Sequence, residues 1–210
     1  MNAGDIEWAG PEGKPLPVPS FILASASPRR IALLQAAGFD FQIEHPAIEE
    51  SRSQFFSPTE LVLFNAFQKA AAVASQHPKE FVLAADTIVV LDSEVFGKPL
   101  DLYDARRMLI RLVGRSHDVI TGIALVNAIR KQLISRAVRT GVKFRALSDS
   151  EIESYLKIAE PLDKAGAYAA QNSPDMIIEK VTGSFSNVVG LPMEVVGPLL
   201  ASLGIHPVAQ

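Results

Sequence analysis

The sequence predicts an α/β protein, and three observations carry that prediction. Phe81 to Leu91 is a nearly unbroken apolar, β-branched run of the kind found in a strand buried on both faces. Further runs of strand length stand at Phe21–Ala24, His117–Val126 and about Gln132–Arg145. Between them lie stretches whose apolar residues recur at helical spacing and which open on capping signatures. Strands interleaved with helices in this way imply a sheet covered by helices. At 210 residues, 48% hydrophobic and 20% charged, the chain is globular and can bury a core as one large domain or two small lobes.

Residues 1–19 are polar and rich in Gly and Pro, and read as a flexible leader whose one aromatic residue is Trp8. Phe21–Ala24 is a short strand that runs into Ser25-Ala26-Ser27-Pro28-Arg29-Arg30. Ile31, Leu33, Leu34 and Ala37 then mark a helix that Gly38 stops. Ser27 suits an N-cap and Pro28 the first helical position. Two arginines in a first turn oppose the helix dipole. With an anion present the arrangement makes sense, because backbone N–H groups, serine hydroxyls and two guanidinium forks converge on a phosphate. Asp40–Glu44 is a further strand, and the polar loop after it holds Ile48-Glu49-Glu50, which can lend a carboxylate to a metal.

Ser57-Pro58-Thr59-Glu60 is a capping box for a helix reaching about Gln76, which places Asn65 and Lys69 on one face. Asp101 caps a helix to Val113, stopped by Gly114, and Ser148 with Glu151 forms a second capping box for a helix that Pro161 closes. Asp163–Gln171 is a loop of small residues open to close approach, where Tyr168 can stack and Gln171 can both donate and accept. Met176–Val181 reads as a strand. Thr182–Pro192 reads as a Gly/Ser loop, again suited to an anion, opening a last helix over about Met193–Ser202.

The chemistry concentrates on the central run. Asp86 lies inside it, and a carboxylate there must be paired, metal-bound or neutralised, because an isolated buried charge costs many kcal/mol. The chain turns at Asp92-Ser93-Glu94 and returns to Gly97-Lys98-Pro99, bringing Lys98 back toward Asp86. An acid beside a lysine fits a metal-and-phosphate site; a structural ion pair is the plainer alternative. Several classes are excluded. A net charge of −3 leaves no footprint for stable nucleic-acid binding. The absence of cysteine removes disulfides, thiolate chemistry and cysteine-bound zinc, and accords with the reducing cytoplasm. The four histidines are scattered, without zinc-binding spacing. No apolar run reaches the ~18 residues of a membrane span, and residues 1–18 lack the order of a signal peptide.

Five segments in order, LASASPRR (23–30), AADTIVVLDSEVFGKP (84–99), GRSHDVITGIAL (114–125), EPLDKAGAYAAQ (160–171) and GSFSNVVGLP (183–192), make the chain resemble the Maf family of nucleoside triphosphate pyrophosphatases. The resemblance covers about residues 20 to 203. It implies an elongated, two-lobed α/β fold related to the inosine triphosphatases, with a mixed twisted sheet flanked by helices and a central cleft, in a single catalytic domain over 20–210. It implies hydrolysis of a nucleoside triphosphate to monophosphate and pyrophosphate with Mg²⁺ or Mn²⁺. On this resemblance Asp86 matches the proton acceptor, and Glu49, Lys69 and Lys98 match cleft residues. Arg29, Thr87 and Gln171 match positions linked to substrate choice, while Ser25, Ser27 and Arg30 complete the phosphate turn. Glu49 and Asp86 would hold the metal.

The Ser-Pro-Arg-Arg turn, Asp86-Thr87 and Gln171 look like the subgroup acting on dTTP and UTP more than the one acting on 7-methyl-GTP. Ala169-Ala170 departs from the Gly-Ile pair usual there. A homodimer is a family expectation. The rivals are a non-catalytic nucleotide-binding regulator of cell division, which would not need Asp86, and a phosphomonoesterase, which would release orthophosphate.

Overall fold

The computed structural model describes residues 21–171 and 174–208, so the leader and Trp8 lie outside the described residues. The elements follow as β1 (Phe21–Ala24), α1 (Pro28–Ala36), β2 (Phe41–Glu44), α2 (Pro58–Ala74), β3 (Phe81–Leu91), β4 (Glu94–Phe96), α3 (Leu102–Leu112), β5 (Ser116–Asn127), β6 (Gln132–Phe144), α4 (Asp149–Ala159), β7 (Ile178–Thr182), α5 (Phe185–Val189) and α6 (Met193–Ala201). Seven strands form one sheet in the order β2-β1-β3-β5-β6-β7, with β4 on β3. β1 is parallel to β2 and β3, and the remaining pairs are antiparallel. The fold is thus α/β with a mixed sheet.

Strand alternation sorts β3 cleanly. Val82 and Ala84 face α2 in a core with Ala66, Ala70, Val73 and Ala124. Leu83 and Ala85 face the other way, into a core with Leu34 of α1 and Val196 and Leu200 of α6. Farther along that second face, Val89 and Leu91 join Leu109 and Leu112 of α3 and Ile152 and Tyr155 of α4. Ile88 and Val90 pack with Val62 and Ile120 in a further group, so one strand serves four, which is why it reads as continuously apolar.

The capping signatures hold. Ser57 and Glu60 cap each other's backbone N–H groups at α2, as do Ser148 and Glu151 at α4, and Asp101 accepts from the Asp104 N–H at α3. Two expectations change. Ser27 occupies the N-cap position of α1 but makes no side-chain capping bond there. The Gly/Ser segment contains a short helix, α5. Ser184 caps it, and the Ser186 hydroxyl accepts from the Met193 N–H and donates to Glu194. Those hydroxyls are engaged internally and the Glu194 carboxylate occupies the start of α6, so of this segment Val188–Gly190 border the cleft while its serines turn away into their own bonds. The last strand begins at Ile178 rather than Met176, because Pro174–Met176 forms a 3-10 turn.

Gly122 fixes how near α2 lies to the sheet. A Cβ there would meet the Val62 carbonyl carbon and oxygen at 2.5 Å. Gly122→Val should push α2 off β5 and destabilise the protein by about 1–3 kcal/mol, read as a lower midpoint in chemical denaturation. His117 supplies a second test. Its ring is 4% exposed, bonds Tyr168 Oη at 3.1 Å and stands edge-on to Phe144. Burial lowers its pKa from 6.5 to about 4. Between those values the unfolded chain takes up a proton that the native state refuses, so stability falls as pH falls. The loss from pH 7 to 4.5 should reach roughly 2–3 kcal/mol, and His117→Gln should remove that component of the denaturation profile.

Candidate active site

The site opens at a gap in the sheet. β1 pairs with β3 through Phe81–Leu83, and β4 pairs with the same edge through Val89–Leu91. Between them, Ala84–Ile88 has no strand partner on that edge among the described residues. β1 leaves the sheet into the Ser25–Ser27 turn, and Gly97-Lys98 follows directly on β4. A cleft of about 890 Å³ fills the gap, bounded also by the 45–56 loop and by Asp163–Ala165. Asp86 stands in mid-gap and points toward α2, while Thr87 points to the opposite face. Both border the cleft.

On the α2 face, Lys69 Nζ donates to Asp86 Oδ1 at 2.7 Å, bonds Glu50 Oε1 at 2.6 Å and reaches the Ala85 carbonyl at 3.4 Å. Lys69 is 7% and Asp86 5% exposed. The helical lysine is therefore buried, which only the cleft and its two carboxylates allow. Asn65, one turn earlier, donates from Nδ2 to Asp86 Oδ2 at 3.1 Å. The same amide accepts from the Ser51 N–H at 2.8 Å and donates to the Ser51 carbonyl at 3.1 Å, clamping the loop beside Glu50. Partial burial opposes ionisation of Glu50. The charge and hydrogen bond of Lys69, with Lys98 and Arg30, outweigh it and hold the carboxyl below its ordinary pKa.

On the opposite face, Arg30 is held by three neutral acceptors. Nε donates to the Gly190 carbonyl at 2.8 Å, Nη2 to Thr87 Oγ1 at 3.1 Å and Nη1 to Ser25 Oγ at 3.4 Å. It makes no ion pair among the described residues. Burial pulls its pKa down, while the carboxylates of Asp86 and Glu50 push it up. Its charge is fixed in place and open to an anion. Gly190 sits at φ +121°, a backbone that favours glycine, and its carbonyl anchors Arg30. Arg29 instead crosses the cleft to Asp163, with Nη1 2.7 Å from Oδ2. Ser25 and Ser27 line the cleft at the start of α1, with Lys98 on the opposing wall.

Acid, amide and lysine on one face and an uncompensated guanidinium on the other make a site for a polyanion. Comparison with known proteins agrees with that chemistry. The family model described as Maf-like protein matches residues 20–203. The chain belongs to the Maf family. It is 44% identical over 184 residues to a dTTP/UTP pyrophosphatase of Dictyoglomus turgidum, covering 87% of this chain and 95% of that one. It is 45% identical over 181 residues to a dTTP/UTP pyrophosphatase of Clostridioides difficile, covering 86% and 93%. A solved structure of the Staphylococcus aureus Ham1 protein aligns with 60% of this chain and 71% of its own at 14% identity and a TM-score of 0.44.

Of the residues singled out in this Maf sequence, Ser25, Ser27, Arg29, Arg30, Lys69, Asp86, Thr87 and Lys98 border the cleft. Glu49 and Gln171 do not. Glu49 was expected in the cleft as a metal ligand beside Asp86; it is the neighbouring Glu50 that borders the cleft and pairs with Lys69, because the Asn65 clamp on Ser51 sets the register of an irregular loop. Gln171 is exposed at the end of its loop, outside the cleft lining. Tyr168 also borders the cleft, but it is buried, with its ring packed edge-on against His117 and Phe144 and its hydroxyl bonded to His117. Ala169 and Ala170 are buried, and the Ala169 N–H donates to Tyr155 Oη at 2.9 Å. Asn65 was placed on the face of Lys69 by its spacing but given no role, and its bond to Asp86 is what the structure adds.

Glu49 and Glu50 can be told apart by substitution. Glu50→Gln should lower triphosphate turnover at least about 10-fold, the scale of disrupting a partner of a reacting group, while Glu49→Gln stays within about 2-fold. Steady-state kinetics on both variants checks the assignment.

Proposed function

We propose that this protein hydrolyses dTTP and UTP between the α and β phosphates, giving the nucleoside monophosphate and pyrophosphate. The observation that carries the reading is the shared ammonium of Lys69 between Asp86 and Glu50, in one cleft with Arg30 and Lys98. The relatives, dTTP/UTP pyrophosphatases, support the same substrates.

In this reading a water attacks the α phosphorus and gives its proton to Asp86, and the α–β bridging oxygen leaves with pyrophosphate. Arg30, Lys98 and Lys69 stabilise the charge that develops on the leaving group. Arg29, paired with Asp163, stands where the phosphate chain enters. A divalent cation fits the donor set. Among the described residues no three or more His, Cys, Asp or Glu side chains gather. Asp86 and Glu50 offer two carboxylates, which suits Mg²⁺ or Mn²⁺ completing its shell with phosphate oxygens and water. When bound, that ion supplies Lewis-acid charge to the phosphate oxygens. Among the described residues no helix is long and apolar enough to cross a membrane. We place the protein in the cytoplasm, where its substrates are.

The test is product analysis with Mg²⁺ or Mn²⁺ and dTTP, UTP, CTP, 7-methyl-GTP and the purine triphosphates, assaying pyrophosphate, orthophosphate and monophosphate separately. Pyrophosphate from dTTP and UTP is expected. Asp86→Asn should lower kcat by roughly 10²–10⁴-fold, and a chelator should stop turnover. Orthophosphate as the first product, or turnover confined to another base, overturns the reaction or the substrate assignment respectively.

A further inference from the structure

Thr121 lies on β5 directly opposite Thr87 in the β3–β5 register, is 0% exposed and does not border the cleft. Its hydroxyl donates to the Asn187 carbonyl at 3.2 Å. With that hydrogen committed, Thr121 Oγ1 accepts from Thr87 Oγ1, 2.9 Å away. The hydrogen of Thr87 is thereby turned into the protein, and its lone pairs are left for the Arg30 Nη2–H at 3.1 Å. Among the described residues the one other acceptor within reach of Thr87 is the Gly190 carbonyl at 3.5 Å, which already takes the shorter bond from Arg30 Nε.

The far end of this chain is rigid. Asn187 is fully buried, and its side-chain amide donates to the Val119 carbonyl and to Thr140 Oγ1 at 3.1 and 3.0 Å. The hydrogen bonds thus run one way, from Arg30 through Thr87 and Thr121 into α5, and α5 leads directly to the Gly190 carbonyl that holds Arg30 Nε. Three of the five guanidinium N–H donors are fixed by this frame, leaving two for an anion.

We propose that Thr121 is a positioning residue for Arg30, acting through Thr87, and that Thr87 influences the substrate by aiming this guanidinium at the phosphate chain rather than by donating to the base. The inference rests on the phosphate-binding part of the proposed function.

The test compares Thr121→Val, Thr121→Ser, Thr87→Val and the Thr87→Val/Thr121→Val double variant, with KM and kcat for dTTP, thermal midpoint, and calorimetric affinity for inorganic tripolyphosphate. Thr121→Val keeps the shape and loses the hydroxyl. It should weaken tripolyphosphate binding and lower kcat/KM for dTTP by roughly 3- to 10-fold each, the worth of one hydrogen bond. Thr121→Ser keeps the hydroxyl and loses a packed methyl group, so it should melt earlier yet bind as wild type. The double variant should bind no worse than Thr87→Val, because both substitutions break one chain. Unchanged binding in Thr121→Val, weakened binding in Thr121→Ser, or multiplying losses in the double variant would each overturn the proposal. Absence of wild-type turnover would refute the function instead, and the tripolyphosphate measurement would still decide the role of Thr121.

Discussion

Everything at the site depends on one buried ammonium shared by two carboxylates. Asp86 sits inside the most apolar strand of the protein, where an unpaired charge is untenable. Lys69 answers it from α2 at 2.7 Å and is answered in turn by Glu50 at 2.6 Å. A buried ion pair of this kind is weak evidence of stability, since desolvation offsets much of the attraction. The arrangement instead serves to keep charged groups side by side at a place where polyanion chemistry needs them. Its geometry is inherited from packing. Gly122 lets the α2 backbone touch β5, and the Ser57 capping box fixes where α2 begins. Helical spacing then lands Asn65 and Lys69 together over Asp86.

The gap in the sheet is the second half of the same design. In α/β sheets ligands bind beyond the carboxyl ends of strands where the connections diverge. Here β1 departs after its short run and β4 joins β3 only from Val89, so five residues of β3 carry an open edge. Alternation then places neighbouring side chains on opposite sides of the sheet. Asp86 meets the acid-and-lysine face, and Thr87 meets Arg30. Two consecutive residues in one strand thus reach both walls of a single cleft, which an unbroken sheet would forbid.

Much of this was legible in the sequence because it follows from local rules. The β-branched run and the capping boxes at Ser57 and Ser148 each have a local physical cause, and each formed as read; at the Pro-Arg-Arg turn the helix formed, but without the capping bond expected of Ser27. What was not legible depended on irregular backbone. Glu49 and Glu50 are adjacent in a loop without periodicity, so nothing local decides which faces Lys69; a clamp from Asn65 on another element decides it. Tyr168 looked available for stacking because a loop of small residues surrounds it, but His117 and Phe144, brought by β5 and β6, enclose its ring. The Thr182–Pro192 segment read as an anion loop because the cap at Ser184 and a site for phosphate use the same residue types. Only the tertiary positions of Thr140 and Glu194 distinguish them.

The two faces of the gap also constrain what the cleft can hold. The α2 face offers two carboxylates and the ammonium between them, while the far face offers a guanidinium whose charge has no carboxylate partner among the described residues. A ligand satisfying both must carry negative charge along its length and reach from one side of the sheet to the other. A phosphate monoester concentrates its charge on one group and would engage one face. In the proposed reading a chain of three phosphates would extend across the gap, with one end over Asp86 and the other toward Arg30 and the α1 N-terminus. The gap between the two strand pairings would then set which phosphate lies at the acid.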